Sequence, residues 1–288
     1  MKLAFVGLGV MGFPMAGHLA GAGQEVTVFN RTPAKAERWT ETHPGRWAPT
    51  IAEAADQAEM LILCVGRDDD VRQVVGEALE VLAPGAVIID HTTTSAVLAR
   101  EMSDLAARRG CSFIDAPVSG GQAGAEAGRL TIMCGGTPEA FARAEPVMGA
   151  YAQAIRLMGP AGAGQLTKMV NQICIAGLVQ GLAEGMHFAK RAGLDPQEVL
   201  AAISRGAAQS WQMDNRWPTM AQGLFDFGFA VDWMRKDLGL VLDEAQSNGA
   251  RLDVTRLVDG FYGEVQAMGG ARWDTSSLVA RLEALEGS

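Results

Sequence analysis

Short apolar runs alternate with helical patterns over roughly the first 158 residues of the chain. The runs have the length and the apolar character of buried strands, and the stretches between them show a helical period of about 3.6 residues. The predicted strands are Leu3–Val6, Val26–Phe29, Met60–Val65, Ala86–Asp90, Ser112–Ala116 and Leu130–Cys134. The predicted helices are Met11–Ala22, Pro33–Thr40, Ser95–Arg108 and Pro138–Met148. This alternation predicts a doubly wound, mostly parallel α/β sheet.

The pattern changes after the segment 159–162, which reads G-P-A-G. Strand-like runs stop there, and helical periodicity covers most of the remaining chain. The predicted helices are Gln165–Arg191, Pro196–Arg205, Val231–Asn248, Val254–Met268 and Thr275–Leu285. We therefore predict two domains, an α/β domain over residues 1–160 and an all-α domain over residues 161–288.

The first apolar run leads into a glycine-rich turn with the pattern G-x-G-x-x-G. A secretory signal would need an uninterrupted apolar stretch, which the six glycines among the first 23 residues break up. The strand, turn, helix and second strand instead predict a Rossmann-type site, where the backbone approaches a dinucleotide pyrophosphate at a helix N-terminus. The candidate cofactor residues of this turn are Gly7, Leu8, Gly9, Val10, Met11 and Gly12.

The end of the second strand indicates which nicotinamide cofactor binds. An NAD site usually places a carboxylate there on the ribose 2′-hydroxyl, whereas an NADP site recruits arginine for the 2′-phosphate. This chain has Asn30, Arg31 and Thr32. The planar guanidinium of Arg31 suits phosphate oxygens, although an ordinary solvated arginine is also common in such a turn. The prediction is NADP as the preferred cofactor, with NAD possible.

Further candidate contacts follow the later strands, because an open α/β sheet binds its ligands at the carboxyl ends of its strands. Cys64 and Val65 end the third predicted strand, and Thr93 follows the fourth. Thr92 and Thr93 are candidates to hydrogen-bond the nicotinamide ribose or amide, and Thr94 or Ser95 is a candidate cap for the following helix; both interpretations can hold at once.

After the fifth predicted strand come Ser119, Gly120 and Gly121. They offer one hydroxyl and two accessible backbone N–H groups, which suit a small carboxylate substrate. A glycine-rich hairpin loop uses the same residue types, so both interpretations stand at this point.

The long predicted helix carries a polar face. Lys168, Asn171 and Gln172 lie at i, i+3 and i+4 among apolar neighbours. Such a trio is usually a solvated stripe, but two of only five lysines in the chain, Lys168 and Lys236, fall within motif-like stretches. Lysine can be tuned to exchange a proton near neutral pH whereas arginine cannot, so Lys168 is the better acid/base candidate.

Charge and cysteine content exclude several classes. A net charge of −9 and a pI near 5.0 argue against a nucleic-acid surface. The four cysteines lack the spacing of a zinc site or a disulfide framework, so we predict no metal and a reducing cytoplasm. The longest apolar stretch, Ile173–Ala183, is too short for a bilayer span, so we expect no membrane segment.

Four motifs occur in order along nearly the whole chain. They are GLGVMGFPMA at 7–16, DAPVSGG at 115–121, G-x-G-x-x-x-K-x-x-N at 162–171 and KDLGL at 236–240. Together they resemble the β-hydroxyacid dehydrogenase family, which includes 3-hydroxyisobutyrate dehydrogenase, tartronate semialdehyde reductase and the glyoxylate/succinic semialdehyde reductases. The chain departs from the D-x-S-T-x-x-P pattern of that family at 90–96, where it reads D-H-T-T-T-S-A.

The resemblance implies an NAD(P)-dependent oxidoreductase that transfers hydride between nicotinamide and a small 3-hydroxy acid or semialdehyde. It implies a Rossmann domain, a long interdomain helix, and an all-α domain that forms a homodimer or homotetramer. Carried over motif by motif, the resemblance implies that Lys168 is the catalytic acid/base and that Asn171 is an orienting hydrogen-bonder. It also implies that Ser119–Gly121 hold the substrate carboxylate and that Lys236 reaches cofactor and substrate.

Three alternatives compete with this assignment. A 6-phosphogluconate dehydrogenase has a much longer helical part than the 125 or so residues present here. An imine reductase-like NADPH enzyme typically lacks the lysine that this chain has at 168. A non-catalytic NADP-binding module would have no need to keep Lys168, Asn171 and Lys236 together.

Overall fold

The structure is a computed structural model and describes residues 1–285 of the chain. It comprises two compact units, Met1–Lys168 and the part from Met169 onward. The division falls inside one continuous helix, Ala163–Arg191. In the described part of the chain, no helix combines the length and the apolar character that crossing a membrane requires.

The first unit is built on a single sheet. Its strands are β1 (Lys2–Val6), β2 (Glu25–Phe29), β3 (Arg46–Trp47), β4 (Met60–Leu63), β5 (Val87–Asp90), β6 (Ser112–Asp115), β7 (Val118–Ser119), β8 (Leu130–Gly135) and β9 (Ala152–Gly159). Their order across the sheet is β3-β2-β1-β4-β5-β6-β8-β7, and β9 pairs with β8. The strands from β3 to β6 are parallel, whereas β8 runs antiparallel to β6 and β7.

Helices cover the sheet, as the alternating pattern predicts. They are α1 (Gly12–Gly21), α2 (Pro33–Thr42), α3 (Ile51–Ala55), α4 (Asp68–Leu79), α5 (Ala96–Arg108), α6 (Gly121–Glu126) and α7 (Pro138–Met148). Successive residues of β1 point to opposite faces, so Phe5 packs in one core with Trp39 while Val6 packs in another with Ile88. The prediction of a doubly wound, mostly parallel Rossmann-type sheet is confirmed.

The second unit is mainly helical, with one isolated antiparallel bridge between Ala230 and Asp274 among its described residues. The helices are α8 (Ala163–Arg191), which begins in the first unit, α9 (Pro196–Ile203), α10 (Trp211–Gln222), α11 (Val231–Asn248), α12 (Asp253–Ala267) and α13 (Leu278–Ala284), with a 3₁₀ turn at Thr275–Ser277. Its core is formed by side chains such as Trp217, Met234 and Tyr262. The prediction of an all-α second half is confirmed.

Some elements are absent from the predicted set. Strand β9 lies in a stretch without an uninterrupted apolar run, and all eight of its residues are at least partly exposed. Helix α4 was not predicted, although three aspartates in its first turn and buried Val71, Val74 and Val75 give it a helical signature. Helix α6 falls in the glycine-rich stretch, where loop residues obscure a helix of six residues.

Candidate active site

The turn between β1 and α1 is closed by two glycines. A Cβ on Gly7 would lie 2.2 Å from the carbonyl oxygen of Cys64, and a Cβ on Gly12 would lie 1.9 Å from the carbonyl oxygen of Gly7. The N–H of Gly7 donates to the carbonyl of Phe29 at 2.9 Å. The turn therefore packs against the ends of β2 and β4 only because both positions lack side chains.

Gly9 is different, because no atom of the part of the chain that the structure describes lies within 4 Å of the position that its Cβ would occupy. The fold itself does not require a glycine there. Neighbouring Val10 is exposed, Leu8 is buried, and Met11 caps α1 without a side-chain hydrogen bond. Open space beside a glycine and an uncapped helix N-terminus fit a dinucleotide pyrophosphate, which these backbone N–H groups would hold.

Asn30 joins this turn to the loop after β2. Its Oδ1 accepts the N–H of Leu8 at 2.9 Å, and its Nδ2 donates to the carbonyl of Thr32 at 2.9 Å. An aspartate could make the first hydrogen bond but has no donor for the second. The amide at position 30 therefore has a structural role, besides leaving the end of β2 without a carboxylate.

Arg31 extends into solvent from the same loop. Its side chain is 90% exposed, and Nη1 lies 3.5 Å from Oδ1 of Asp70. Asp70 also accepts the N–H of Arg67 at the start of α4, at 3.2 Å. Exposed ion pairs of this kind contribute little free energy, so the guanidinium can exchange Asp70 for the oxygens of a phosphate.

The segments after β4 and β5 are hydrogen-bonded to each other. The N–H of Val65 donates to the hydroxyl of Thr92 at 3.0 Å, and the N–H of Thr92 donates to Oδ1 of Asp90 at 2.9 Å. Thr92 and Thr94 are buried, whereas Thr93 is partly exposed. Of the three threonines, Thr93 is therefore the one with its side chain within reach of a ligand.

Ser95 supports the capping interpretation of this run. Its Oγ accepts the N–H of Leu98 at 3.0 Å and so caps α5. The same hydroxyl donates to Oδ2 of Asp68 at 2.6 Å. The capping and cofactor-binding interpretations of Thr92–Ser95 are therefore compatible, because Ser95 caps the helix while Thr93 faces solvent.

His91 is a buried side chain at the end of β5. Its Nδ1 lies 2.6 Å from the carbonyl of Ala116 and its Nε2 lies 2.9 Å from the hydroxyl of Tyr151. A carbonyl can only accept, so Nδ1 carries the proton and Nε2 accepts from the tyrosine. Burial lowers the pKa of His91 to about 4, which keeps the ring neutral at physiological pH.

Ser119, Gly120 and Gly121 form an accessible turn between β7 and α6. Ser119 is half-buried and both glycines are exposed. The φ angles of Gly120 and Gly121 are +129° and +61°, which residues with side chains rarely adopt. The turn leads into the N-terminus of α6, and its hydroxyl and backbone N–H groups have the chemistry to bind a carboxylate.

Asp115, at the end of β6, holds the start of α8. Its carboxylate accepts the N–H of Gly162 at 2.8 Å and the N–H of Gln165 at 2.9 Å. Burial raises the pKa of Asp115 to about 6, while these backbone donors act in the opposite direction. A Cβ on Gly164 would lie 2.6 Å from the backbone carbonyl of Asp115, so helix and strand end are in close contact.

Lys168 follows one turn later on α8. Its side chain is buried, with 7% of its surface exposed. Lys168 and Asn171 share a face of the helix, because residues three apart in a helix are neighbours. Lys168 is the last residue of the first unit, so its helical turn forms part of the same compact body as the glycine-rich turn.

Within the second unit, a chain of polar contacts connects Asn171 with Lys236. Nδ2 of Asn171 donates to Oε1 of Gln172 at 2.8 Å, and Nε2 of Gln172 donates to Oδ2 of Asp237 at 2.8 Å. The ammonium of Lys236 lies 3.2 Å from the other carboxylate oxygen, Oδ1. Asp237, which is buried, therefore aligns two of the predicted site residues.

Sequence reasoning missed the residues that hold the others in place. Asp115 and Asp237 occur in the quoted motifs, but nothing in their spacing shows which groups they bond. Gln165 also occurs in a motif, and its partners lie 50 to 73 residues earlier in the chain. The sequence carries one indication of these residues: they are polar at positions on a strand end or helix face where a buried residue is usually apolar.

Comparison with known proteins covers both halves. Residues 2–159 match the family described as the NAD binding domain of 6-phosphogluconate dehydrogenase. Residues 162–282 match the family described as NAD-binding of NADP-dependent 3-hydroxyisobutyrate dehydrogenase. Both descriptions name NAD binding, and the first match includes the glycine-rich turn.

Three individual proteins are similar along almost their whole length. An uncharacterized oxidoreductase of Shewanella frigidimarina is 61% identical over 98% of both chains. The 2-hydroxy-3-oxopropionate reductase of Escherichia coli is 32% identical over 98% of this chain and 97% of its own. The structure of Mycobacterium tuberculosis 3-hydroxyisobutyrate dehydrogenase with L-serine aligns with a TM-score of 0.90, at 32% identity, over 97% of this chain and 98% of the other.

Proposed function

Since this chain belongs to the β-hydroxyacid dehydrogenase family, we propose that it interconverts a small 3-hydroxy acid and its semialdehyde, with Lys168 exchanging the proton. The chain is an NAD(P)-dependent oxidoreductase of the 3-hydroxyisobutyrate dehydrogenase type. The observation that supports the proposed role most directly is the burial of Lys168 on the helical turn that Asp115 anchors to the sheet. A nicotinamide, when bound, supplies or accepts the hydride.

The proposed proton transfer uses both protonation states of Lys168. In reduction its ammonium donates a proton to the carbonyl oxygen of the substrate, and in oxidation its neutral amine accepts the hydroxyl proton. Asn171 has two amide protons, of which one is directed at Gln172, so the other is available to orient the substrate oxygen. We propose Lys236 as a further cation for anionic ligands.

The proposed substrate carries a carboxylate close to the reacting carbon. Ser119, Gly120 and Gly121 are the proposed carboxylate contacts, because their turn offers a hydroxyl and exposed backbone N–H groups. The Mycobacterium tuberculosis enzyme was solved with L-serine, which has a hydroxyl on the carbon next to its α-carbon, and this supports 3-hydroxy acids as the class.

A panel of C2–C4 semialdehydes and 3-hydroxy acids, assayed with both nicotinamide cofactors, tests the proposal. We expect turnover of at least one compound in each direction. If the protein binds NADPH but turns over nothing in the panel, the assignment as a 3-hydroxy acid enzyme is wrong.

All four cysteines are free thiols, which supports the reducing cytoplasm as the proposed compartment.

We predict that the enzyme prefers NADP(H) and that Arg31 is the cause. Arg31→Ala should lower kcat/KM for NADPH by roughly 10- to 100-fold, because a charge-assisted bidentate contact to the 2′-phosphate is lost. The kcat/KM of Arg31→Ala for NADH should stay close to the wild-type value. Arg143→Ala is the matched control, since Arg143 is also exposed but donates to the carbonyl of Gly85, ahead of β5. Equal preference for the two cofactors in the wild-type enzyme would contradict the prediction.

We also predict that the protein is at least a homodimer, with a homotetramer consistent with the family. Helices α8 and α12 expose large apolar side chains, among them Phe188, Val254 and Leu257. Exposed apolar groups of this size commonly mark contacts between subunits. Light scattering at micromolar concentration should give at least twice the chain mass of 30.4 kDa. A monomer under those conditions would rule out the prediction.

A further inference from the structure

The side chain of Gln165 makes two hydrogen bonds to one loop. Its Nε2 donates to the carbonyl of Thr92 at 2.7 Å, and its Oε1 accepts the N–H of Thr94 at 3.0 Å. The side chain is fully buried. One primary amide therefore satisfies a backbone acceptor and a backbone donor on either side of Thr93.

The backbone of Gln165 is fixed by a different strand end. Its N–H donates to Oδ2 of Asp115 at 2.9 Å. The first turn of α8 is thus attached to the end of β6 through its backbone and to the loop after β5 through a side chain. Lys168 lies one helical turn after Gln165. Both residues, the end of β6 and the loop after β5 belong to the first unit.

We propose that Gln165 is a positioning residue that holds Thr93 and Lys168 in a fixed relative placement. The inference rests on the proposed function, in which Lys168 exchanges the proton and the Thr93 loop contacts the nicotinamide side. The amide acts through its neighbours and does not itself touch substrate. Its contribution is to remove the freedom of the loop to move relative to the helix.

The chemistry of the contact requires a group that donates and accepts at once. An ionised glutamate at position 165 would only accept, and one of its oxygens would face the carbonyl of Thr92. A protonated glutamate would restore both contacts, because its hydroxyl donates to Thr92 while its carbonyl accepts from Thr94. The Gln165→Glu variant should therefore recover activity as the pH falls, which no purely steric role would produce.

Other groups near this contact also titrate or carry charge. Asp115 accepts from the Gln165 backbone, Asp90 and His91 precede the loop, Lys168 follows on the same helix, and Arg100 of α5 approaches Gly162. Burial raises the pKa of Asp115 to about 6, so we expect the wild-type enzyme to have a pH dependence of its own in this range. The kcat of each variant is therefore divided by the kcat of wild type at the same pH.

The test compares Gln165→Glu with Gln165→Met, which has a similar length but no donor or strong acceptor. We expect Gln165→Met to lower kcat by about 10- to 100-fold at every pH, because small displacements of reacting groups are costly. The ratio of the Gln165→Glu kcat to the wild-type kcat should be similarly low at pH 8 and should rise at least several-fold by pH 5. Gln180→Met is the control, because Gln180 is a buried glutamine of α8 that contacts Glu184 instead.

A second measurement tests the hydrogen bonds between Gln165 and the loop after β5 directly. Amide hydrogen exchange of peptides covering residues 91–95 should be faster in Gln165→Met than in wild type, with no change in Gln180→Met. Unchanged exchange, a kcat within twofold of wild type for Gln165→Met, or a kcat ratio for Gln165→Glu that stays low down to pH 5 would each overturn the inference. Because exchange needs no substrate, it decides the role of Gln165 even if the substrate panel contradicts the proposed function.

Discussion

Replacing Lys168 with alanine is expected to lower kcat by about 10²–10⁴-fold, the usual contribution of a general acid–base group. The buried ammonium has no substitute on its helix face, since Asn171 can orient but not exchange a proton at neutral pH. The affinity for NADPH should change little, because the proposed cofactor contacts lie mainly on the glycine-rich turn and at Arg31. Steady-state kinetics on the best substrate of the panel, with a fluorescence titration of NADPH, measures both effects.

Lys168→Arg separates proton transfer from charge. Arginine keeps the positive charge but does not lose its proton near neutral pH, so this variant should remain as impaired as the alanine variant. Lys190→Ala is the control, because Lys190 is on the same helix but pairs with Glu283. Asn171→Ala should lose less activity than either Lys168 variant. Near-wild-type kcat in Lys168→Arg would mean that the lysine serves only as a fixed charge.

The second large effect is expected at Gly12. A methyl group there would overlap the carbonyl oxygen of Gly7, which belongs to the backbone and cannot rotate away. Gly12→Ala should therefore lower the free energy of unfolding by roughly 3 kcal/mol, in the range for overpacking a closed contact. In a domain of this size that corresponds to a drop in Tm of about 6–12 °C. Thermal unfolding followed by circular dichroism measures the change.

Gly9→Ala is the matched variant in the same turn. No atom of the described residues 1–285 lies within 4 Å of the added methyl group, so the Tm without cofactor should stay within about 2 °C of wild type. NADPH affinity should nevertheless fall by at least about tenfold, which equals 1.4 kcal/mol, because the methyl group would occupy the space proposed for the pyrophosphate. A loss of stability without a loss of affinity would show that Gly9 serves folding and not the cofactor.

Local patterns in the sequence predict most of the first unit, and long-range pairing explains why strand β9 is not among the predicted elements. Strand β4 is buried along its whole length and is visible as an uninterrupted apolar run. Strand β9 has no such run, because it pairs only with β8 and keeps much of its surface exposed. A strand of this kind is specified by its neighbour more than by its own composition.

The candidate site shows the same division. The glycine-rich turn and the Lys168–Asn171 spacing depend on neighbours within a few residues, so sequence alone points to them. The hydrogen bonds of Gln165 and Asp115 join residues 47 to 73 positions apart. No periodicity encodes which strand ends come together at that range, and only the folded sheet reveals that these polar side chains hold the proposed catalytic helix.

The boundary between the compact units has a practical consequence for recombining members of this family. The loop at 159–162 is the obvious place to join halves of two homologues, but a junction there would separate Asp115 from the residues that it anchors. A junction after Lys168 keeps the glycine-rich turn, Asp115, Gln165 and the lysine within one parent, in line with the unit Met1–Lys168. Chimeras joined at 168/169 are therefore the better starting library, because Lys168 and the residues that anchor its helical turn then come from one parent.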